Sequence, residues 1–131
     1  YDPGETEPDC FDGWVCEHRW GPIAGMVGFH NFTSPNFFIT DWWDNGGDQI
    51  AFGRGDAGVV VINRGEAELS QTFQTSMAPG IYCNVVEGAL VASDDGLSCT
   101  GPTITVDETG QAQITAPPMS AAAIHIGARL P

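Results

Sequence analysis

The run Gln49-Ile50-Ala51-Phe52-Gly53-Arg54-Gly55-Asp56-Ala57-Gly58-Val59-Val60-Val61-Ile62-Asn63 decides the fold class. Its centre, residues 53–58, matches G-x-G-x-x-G directly after a strand-like segment, which on paper is a dinucleotide fingerprint. That motif requires a helix next, because the pyrophosphate sits on the helix N-terminus. Here Val59 to Ile62 comes next, a continuously apolar, β-branched stretch that reads as a central strand. The glycines therefore serve a hairpin connection and not a phosphate cradle. The Arg54-Gly55-Asp56 tripeptide inside the turn matches an adhesion motif by chance.

Outward from this hairpin the same texture repeats. Further β-rich runs cover residues 67–75, 80–87, 103–107, 111–115 and 121–127, separated by turn residues and with no helical pattern between them. Residues 70–75, Ser-Gln-Thr-Phe-Gln-Thr, alternate and predict a strand with one wet face. Seven or eight strands at roughly ten-residue spacing predict a mainly β fold, an antiparallel sandwich with Greek-key connections. The 17 glycines and nine prolines agree with short strands and many turns.

Towards the N-terminus the pattern changes. Residues 1–13 are acidic and rich in Pro and Gly, and read as a surface loop. From Glu17 to about Phe29 the residues Trp20, Ile23, Met26, Val27 and His30 recur at helical offsets and predict one amphipathic helix. Gly21, Pro22, Gly25 and Gly28 disfavour that helix in isolation, so it needs a partner surface. The expected domain division is residues 1–30 as loop and helix, 31–48 as a junction, and 49–131 as the β-sandwich.

With 17 acidic residues, four arginines and no lysine, the net charge is −13. Nucleic acid and anionic membranes are excluded as partners on this balance, and no stretch is long enough to span a bilayer. So acidic a surface also fits a protein kept hydrated at high salt, an expectation of halophily. Four cysteines allow three pairings; spacing favours Cys10–Cys16 and Cys83–Cys99, two short structural loops formed in an oxidising, extracellular compartment. No CxxC occurs and His18, His30 and His125 are scattered, so no zinc site is expected.

Candidate binding chemistry is sparse. Asp41, Asp44 and Asp48 flank Trp42-Trp43, an arrangement that glycosidases exploit when two carboxylates lie ~5–9.5 Å apart. The favoured reading is that the tryptophans seal a domain junction while residues 44–48 turn. The EF-hand spacing for Ca²⁺ is absent, so no metal is assigned. No G-x-S-x-G elbow occurs. Trp20, Trp42 and Trp43 are the candidates for stacking on sugar rings. Asn31-Phe32-Thr33 is a glycosylation sequon, taken as incidental.

Two stretches carry a family resemblance: residues 13–20, Gly-Trp-Val-Cys-Glu-His-Arg-Trp, and residues 42–55, Trp-Trp-Asp-Asn-Gly-Gly-Asp-Gln-Ile-Ala-Phe-Gly-Arg-Gly. Both resemble the animal-type α-amylases of glycoside hydrolase family 13. Residues 77–85 and 123–130 resemble that family's closing strands in the same order. The resemblance implies a longer parent with a catalytic (β/α)₈ barrel, a calcium-binding insertion and an eight-stranded Greek-key C-terminal domain. The helix at 17–30 would then be the barrel's last, and the cysteines would pair as their spacing favours.

The resemblance further implies a secreted enzyme, α-amylase, cleaving internal α-1,4-glucosidic bonds of starch and glycogen with retention. Its partners would be the catalytic barrel and, through the parent, maltooligosaccharides. The catalytic carboxylates and the ligands for Ca²⁺ and chloride lie on earlier segments and match nothing here, so this chain alone is expected to be inactive and to hold no cofactor. The absent lysines and the longer segment between Cys83 and Cys99 point to a salt-adapted bacterial relative. A second class of function is a free-standing carbohydrate-binding module whose tryptophans stack on glucose.

Overall fold

The computed structural model describes residues 16–131. A 3-10 turn, Glu17–Arg19, leads into the single helix α1, Gly21–Thr33. Ten strands come after it: β1 Thr40–Asp44, β2 Gln49–Gly53, β3 Gly58–Asn63, β4 Leu69–Gln74, β5 Gly80–Cys83, β6 Leu90–Ser93, β7 Gly96–Cys99, β8 Thr103–Val106, β9 Gln111–Ala116 and β10 Ser120–His125. Eight of them form two antiparallel four-stranded sheets, ordered β1-β2-β3-β10 and β4-β9-β8-β5, and β6 pairs β7 as a separate hairpin.

From β3 onward the pairings are nested: β3 with β10, β4 with β9, β5 with β8 and β6 with β7. The chain is thus one long hairpin folded over on itself, and β4 and β5 end on opposite edges of the second sheet. That crossing is the Greek-key connection the strand spacing predicted. The β2–β3 turn is tight, with Arg54 N donating to Gly58 O at 2.9 Å and Gly55 at φ 61°, a left-handed conformation natural to glycine. A strand, β3, succeeds the G-x-G-x-x-G match, as its apolar run required.

Alternation sorts the side chains of the first sheet. Ala51, Val59, Val61, Ala122 and Ile124 face inward and meet Leu69, Phe73, Tyr82, Ile104, Val106 and Ile114 of the second sheet, forming the sandwich core. The second sheet turns Ser70, Thr72, Gln113 and Thr115 outward, where their side chains hydrogen-bond to each other at 2.8–3.0 Å. The first sheet's outer face is apolar instead: Val60 and Ala123 join Phe29, Val85 and Ala128 in a second buried cluster.

Three expectations shift. The helix begins at Gly21 and not Glu17, because Pro22 fits only the first turn, and it runs on to Thr33. The stretch 31–48, read as a junction, contains the edge strand β1. The run 80–87 stops pairing at Cys83, because the buried Asn84 turns the chain: its Oδ1 accepts from Val86 N at 3.1 Å and Ala123 N at 3.2 Å. The structure also adds the hairpin β6–β7, where Ala-Ser-Asp-Asp-Gly reads as loop in the sequence.

Candidate functional site

The outer face of the first sheet is the candidate site. Helix α1 lies on it, contacting β3 and β10. Two glycines, Gly25 and Gly58, permit the close approach. A Cβ on Gly25 would overlap the Val85 carbonyl; one on Gly58 would meet Thr33 Cγ2 at 2.7 Å and the Phe29 ring at 2.8 Å; and Gly28 leaves ordinary contact distance to His125. Phe29 and Thr33 are buried, and Thr33 Oγ1 donates to Phe29 O at 2.8 Å. The Asn31-Phe32-Thr33 sequon is therefore locked in a helix, with its hydroxyl inside.

His125 anchors this packing from the sheet. Its ring stacks on Phe32, with centroids 5.0 Å apart, and meets Phe29 edge-on at 6.3 Å. Its Nδ1 accepts from Gly127 N at 3.0 Å. Burial lowers its pKa from the usual histidine value, so it is a neutral acceptor at neutral pH.

The helix has a second apolar side that none of the other described residues covers. The expected stripe of Trp20, Ile23, Met26, Val27 and His30 is not what α1 buries: Val27 is 55% exposed and Ile23 40%. Together with Met26, His30, Val60, Ile62, Met119 and Ala121 they line an open groove of about 1260 Å³, rimmed by Arg64 and Glu87. Beyond the helix, Phe37 and Phe38 are each 82% exposed. They lie on the segment that Arg54 holds by donating from Nε to Asn36 O at 2.6 Å. A groove lined by exposed aliphatics marks an interaction surface. The same hydrogen bond ties down the arginine of the Arg54-Gly55-Asp56 tripeptide.

The stacking candidates do not share a surface. A bulge at Thr40–Trp43, with Asp41 at φ 53°, turns Trp42 outward and Trp43 inward. Trp43 meets Phe73 edge-on at 5.2 Å, against the sandwich core. Trp42 stacks on Phe52 at 6.2 Å and remains 55% exposed. Trp20 stands at the N-cap of α1.

The acids are consumed by turns. Asp44 accepts from Trp42 Nε1 and Gly46 N, both at 2.8 Å, and these bonds hold its carboxyl below the usual pKa. Asp41 Oδ2 accepts from Ser76 Oγ at 2.8 Å, and Asp48 Oδ1 from Asn45 Nδ2 at 3.1 Å. Asp107 caps the β8–β9 turn through Thr109 and Gln111, which also lowers its pKa. A general acid would need the opposite shift. Among the described residues no group of three or more His, Cys, Asp or Glu is placed to hold a metal ion.

Cys83 and Cys99 form a disulfide joining the end of β5 to the end of β7. Cys16 is disulfide-bonded, while Cys10, its expected partner, lies outside the described residues, as does Trp14. The groove itself left no motif in the sequence. Its trace was the predicted apolar stripe of a glycine-broken helix in need of a partner surface: Ile23, Met26, Val27 and His30 of that stripe line the groove.

Comparison with known proteins gives a consistent result. Residues 40–127 match the family "Alpha amylase, C-terminal all-beta domain". An alpha-amylase-related protein of Drosophila ercepeae is 47% identical over 110 residues, covering 84% of this chain and 21% of the relative. The Drosophila melanogaster protein of that name is 48% identical over 110 residues with the same coverage. The crystal structure of wild-type α-amylase I from Eisenia fetida superposes with a TM-score of 0.74 at 36% identity, over 91% of this chain and 25% of that one. The chain thus spans 21% of the length of these Drosophila relatives. The similar proteins are animal ones, and they lend no support to a salt-adapted bacterial source.

Proposed function

The chain belongs to the family of α-amylase C-terminal all-β domains, and on that premise we propose that it caps and stabilises the catalytic barrel of a longer, secreted α-amylase. The observation that carries this is the uncovered side of α1. Ile23 and Val27, with Ile62 and Met119 of the sheet layer, present an apolar groove that a water-exposed surface would not keep. The barrel's helical outer layer is the occupant, because the matched segment makes up only 21% of the relatives' length. The whole enzyme cleaves internal α-1,4 bonds of starch and glycogen with retention, using carboxylates outside this chain. The Cys83–Cys99 bridge supports export to an oxidising compartment. Any bound calcium or chloride would be held by upstream residues.

The test is association. The chain and the barrel of its own full-length enzyme, produced separately, should form a stable complex that hydrolyses starch. Val27→Asp and Ile62→Asp place carboxylates in the groove and should each weaken the complex by about 100-fold, since a buried unpaired charge costs several kcal/mol. Unchanged affinity in both variants would refute the docking face. The second reading, a carbohydrate-binding module, rests on the exposed Trp42. Tryptophan fluorescence showing millimolar binding of maltoheptaose, lost in Trp42→Ala, would replace the capping role by that one.

A further inference from the structure

Helix α1 cannot stand alone. It has 13 residues, three of them glycine, and no side-chain N-cap, far short of what an isolated helix needs in water. Among the described residues the 3-10 turn Glu17–Arg19 adjoins its start, and the rest of what holds it comes from the β-domain, most of it from residues 120–128. Gly25 rests on the Val85 carbonyl. Phe29 and Thr33 seat against Gly58 at the start of β3. Phe32 stacks on His125 and lies against Gly127. Phe29 also packs in one cluster with Val60, Ala123 and Ala128. β10 is the last strand, and it reaches its place only by pairing with β3 along the whole register from Ser120–Asn63 to His125–Gly58.

We propose that the β-sandwich is the folding template of α1: the helix forms on, and only on, a sheet face completed by β10, the last strand of the sequence. The helix is synthesised before the strand that completes its seat and is ordered after it. A chain synthesised from its N-terminus carries residues 21–33 unstructured until residues 120–128 have arrived and paired. If α1 is also the barrel's last helix, as the family resemblance implies, the barrel closes only after the C-terminal domain is whole. Incomplete chains would then fail to close it. That consequence rests on the assignment of α1 to the barrel that the proposed function would cap, whereas templating by the sheet does not.

Hydrogen exchange read by mass spectrometry on the 131-residue chain alone tests the templating, with no barrel present. Amides of α1 should exchange at least ~100-fold slower than unprotected ones, by virtue of docking on the sheet. Gly25→Val forces a side chain into the Val85 carbonyl and should bring α1 to within ~5-fold of unprotected rates while β3 and β9 stay protected. Phe29→Ala removes atoms without creating a clash, should act in the same direction, and decides the matter if Gly25→Val unfolds the sandwich. Gly21→Ala, where a Cβ meets nothing within 4 Å, should retain protection. Unprotected α1 amides beside a protected sandwich in the unmodified chain would overturn the proposal. So would wild-type α1 protection in Phe29→Ala.

Discussion

Replacing Asn63 should unfold the sandwich more readily than replacing most of its apolar core residues. Asn63 ends β3 and is 1% exposed, in the core layer and yet polar. Its Nδ2 donates to Ala67 O at 2.8 Å, Ala116 O at 3.1 Å and Pro117 O at 3.2 Å, while Oδ1 accepts from Gly65 N at 2.9 Å and Gln49 Nε2 at 3.2 Å. One side chain thus ties β2, the β3–β4 turn and the β9–β10 connection. Asn63→Ala orphans the Gly65 N–H at ~1–3 kcal/mol and weakens bonding to buried carbonyls at ~1 kcal/mol each, while Gln49, less buried, turns to water. The total is ~3–4 kcal/mol, and with a urea slope of about 1.5 kcal/mol/M the midpoint should fall by ~2 M. Asn63→Asp keeps the size and the Oδ1 acceptor but aims a carboxylate at three carbonyls, so at pH 7 it should cost more than alanine. The Asp variant should recover in part on acidification, when a protonated carboxyl can donate to one carbonyl. A midpoint for Asn63→Ala within ~0.5 M of the parent, or an Asp variant as stable as the parent, would refute this reasoning.

Two further outcomes are expected. Removing the Cys83–Cys99 bridge by double alanine substitution opens a 16-residue separation and should lower stability by ~3 kcal/mol, seen as a fall of roughly 10 °C in Tm by calorimetry; an unchanged Tm would show that the bridge restrains nothing in the unfolded chain. His125 should make stability pH-dependent. Its folded pKa lies below the unfolded value of 6.5, so between the two the unfolded chain binds the extra proton. Stability from this group is therefore complete above pH 6.5, falls as pH drops below it, and levels off once the folded pKa is passed. Urea midpoints at about pH 7.5, 6.0 and 5.0 should show this decline in the parent, and a smaller one in His125→Gln; equal slopes in both would exclude His125 as its source.

The β-sandwich is legible because each main strand carries its own evidence. Val59 to Ile62 is apolar without interruption, residues 111–116 alternate, and glycine and proline punctuate between. The G-x-G-x-x-G match loses its nucleotide meaning from the β-branched run at Val59, which cannot supply the helix N-terminus a phosphate would need. The β6–β7 hairpin is not legible, because Leu90-Val91-Ala92 and Leu97 are short and partly exposed, and their ordering comes from the neighbouring bridge and cluster. The site shows in the sequence only as a symptom. A glycine-broken amphipathic helix needs cover, but which side is covered from within depends on Gly25 and Gly58, small residues whose meaning is the distance of closest approach.

The sequence by itself carried the class of fold and favoured the Cys83–Cys99 pairing, because these rest on residue type and short-range spacing, and its resemblance to known proteins carried the family. Tertiary structure decided how α1 is shared: Phe29, Phe32 and Thr33 turn to the sheet, and Ile23 and Val27 are left for a neighbour. It also decided that Trp42 and Trp43, adjacent in the chain, face opposite layers. Both outcomes depend on which surfaces meet between residues distant in the chain, Phe32 with His125 and Trp43 with Phe73, and local periodicity, whose range is a few residues, does not encode that.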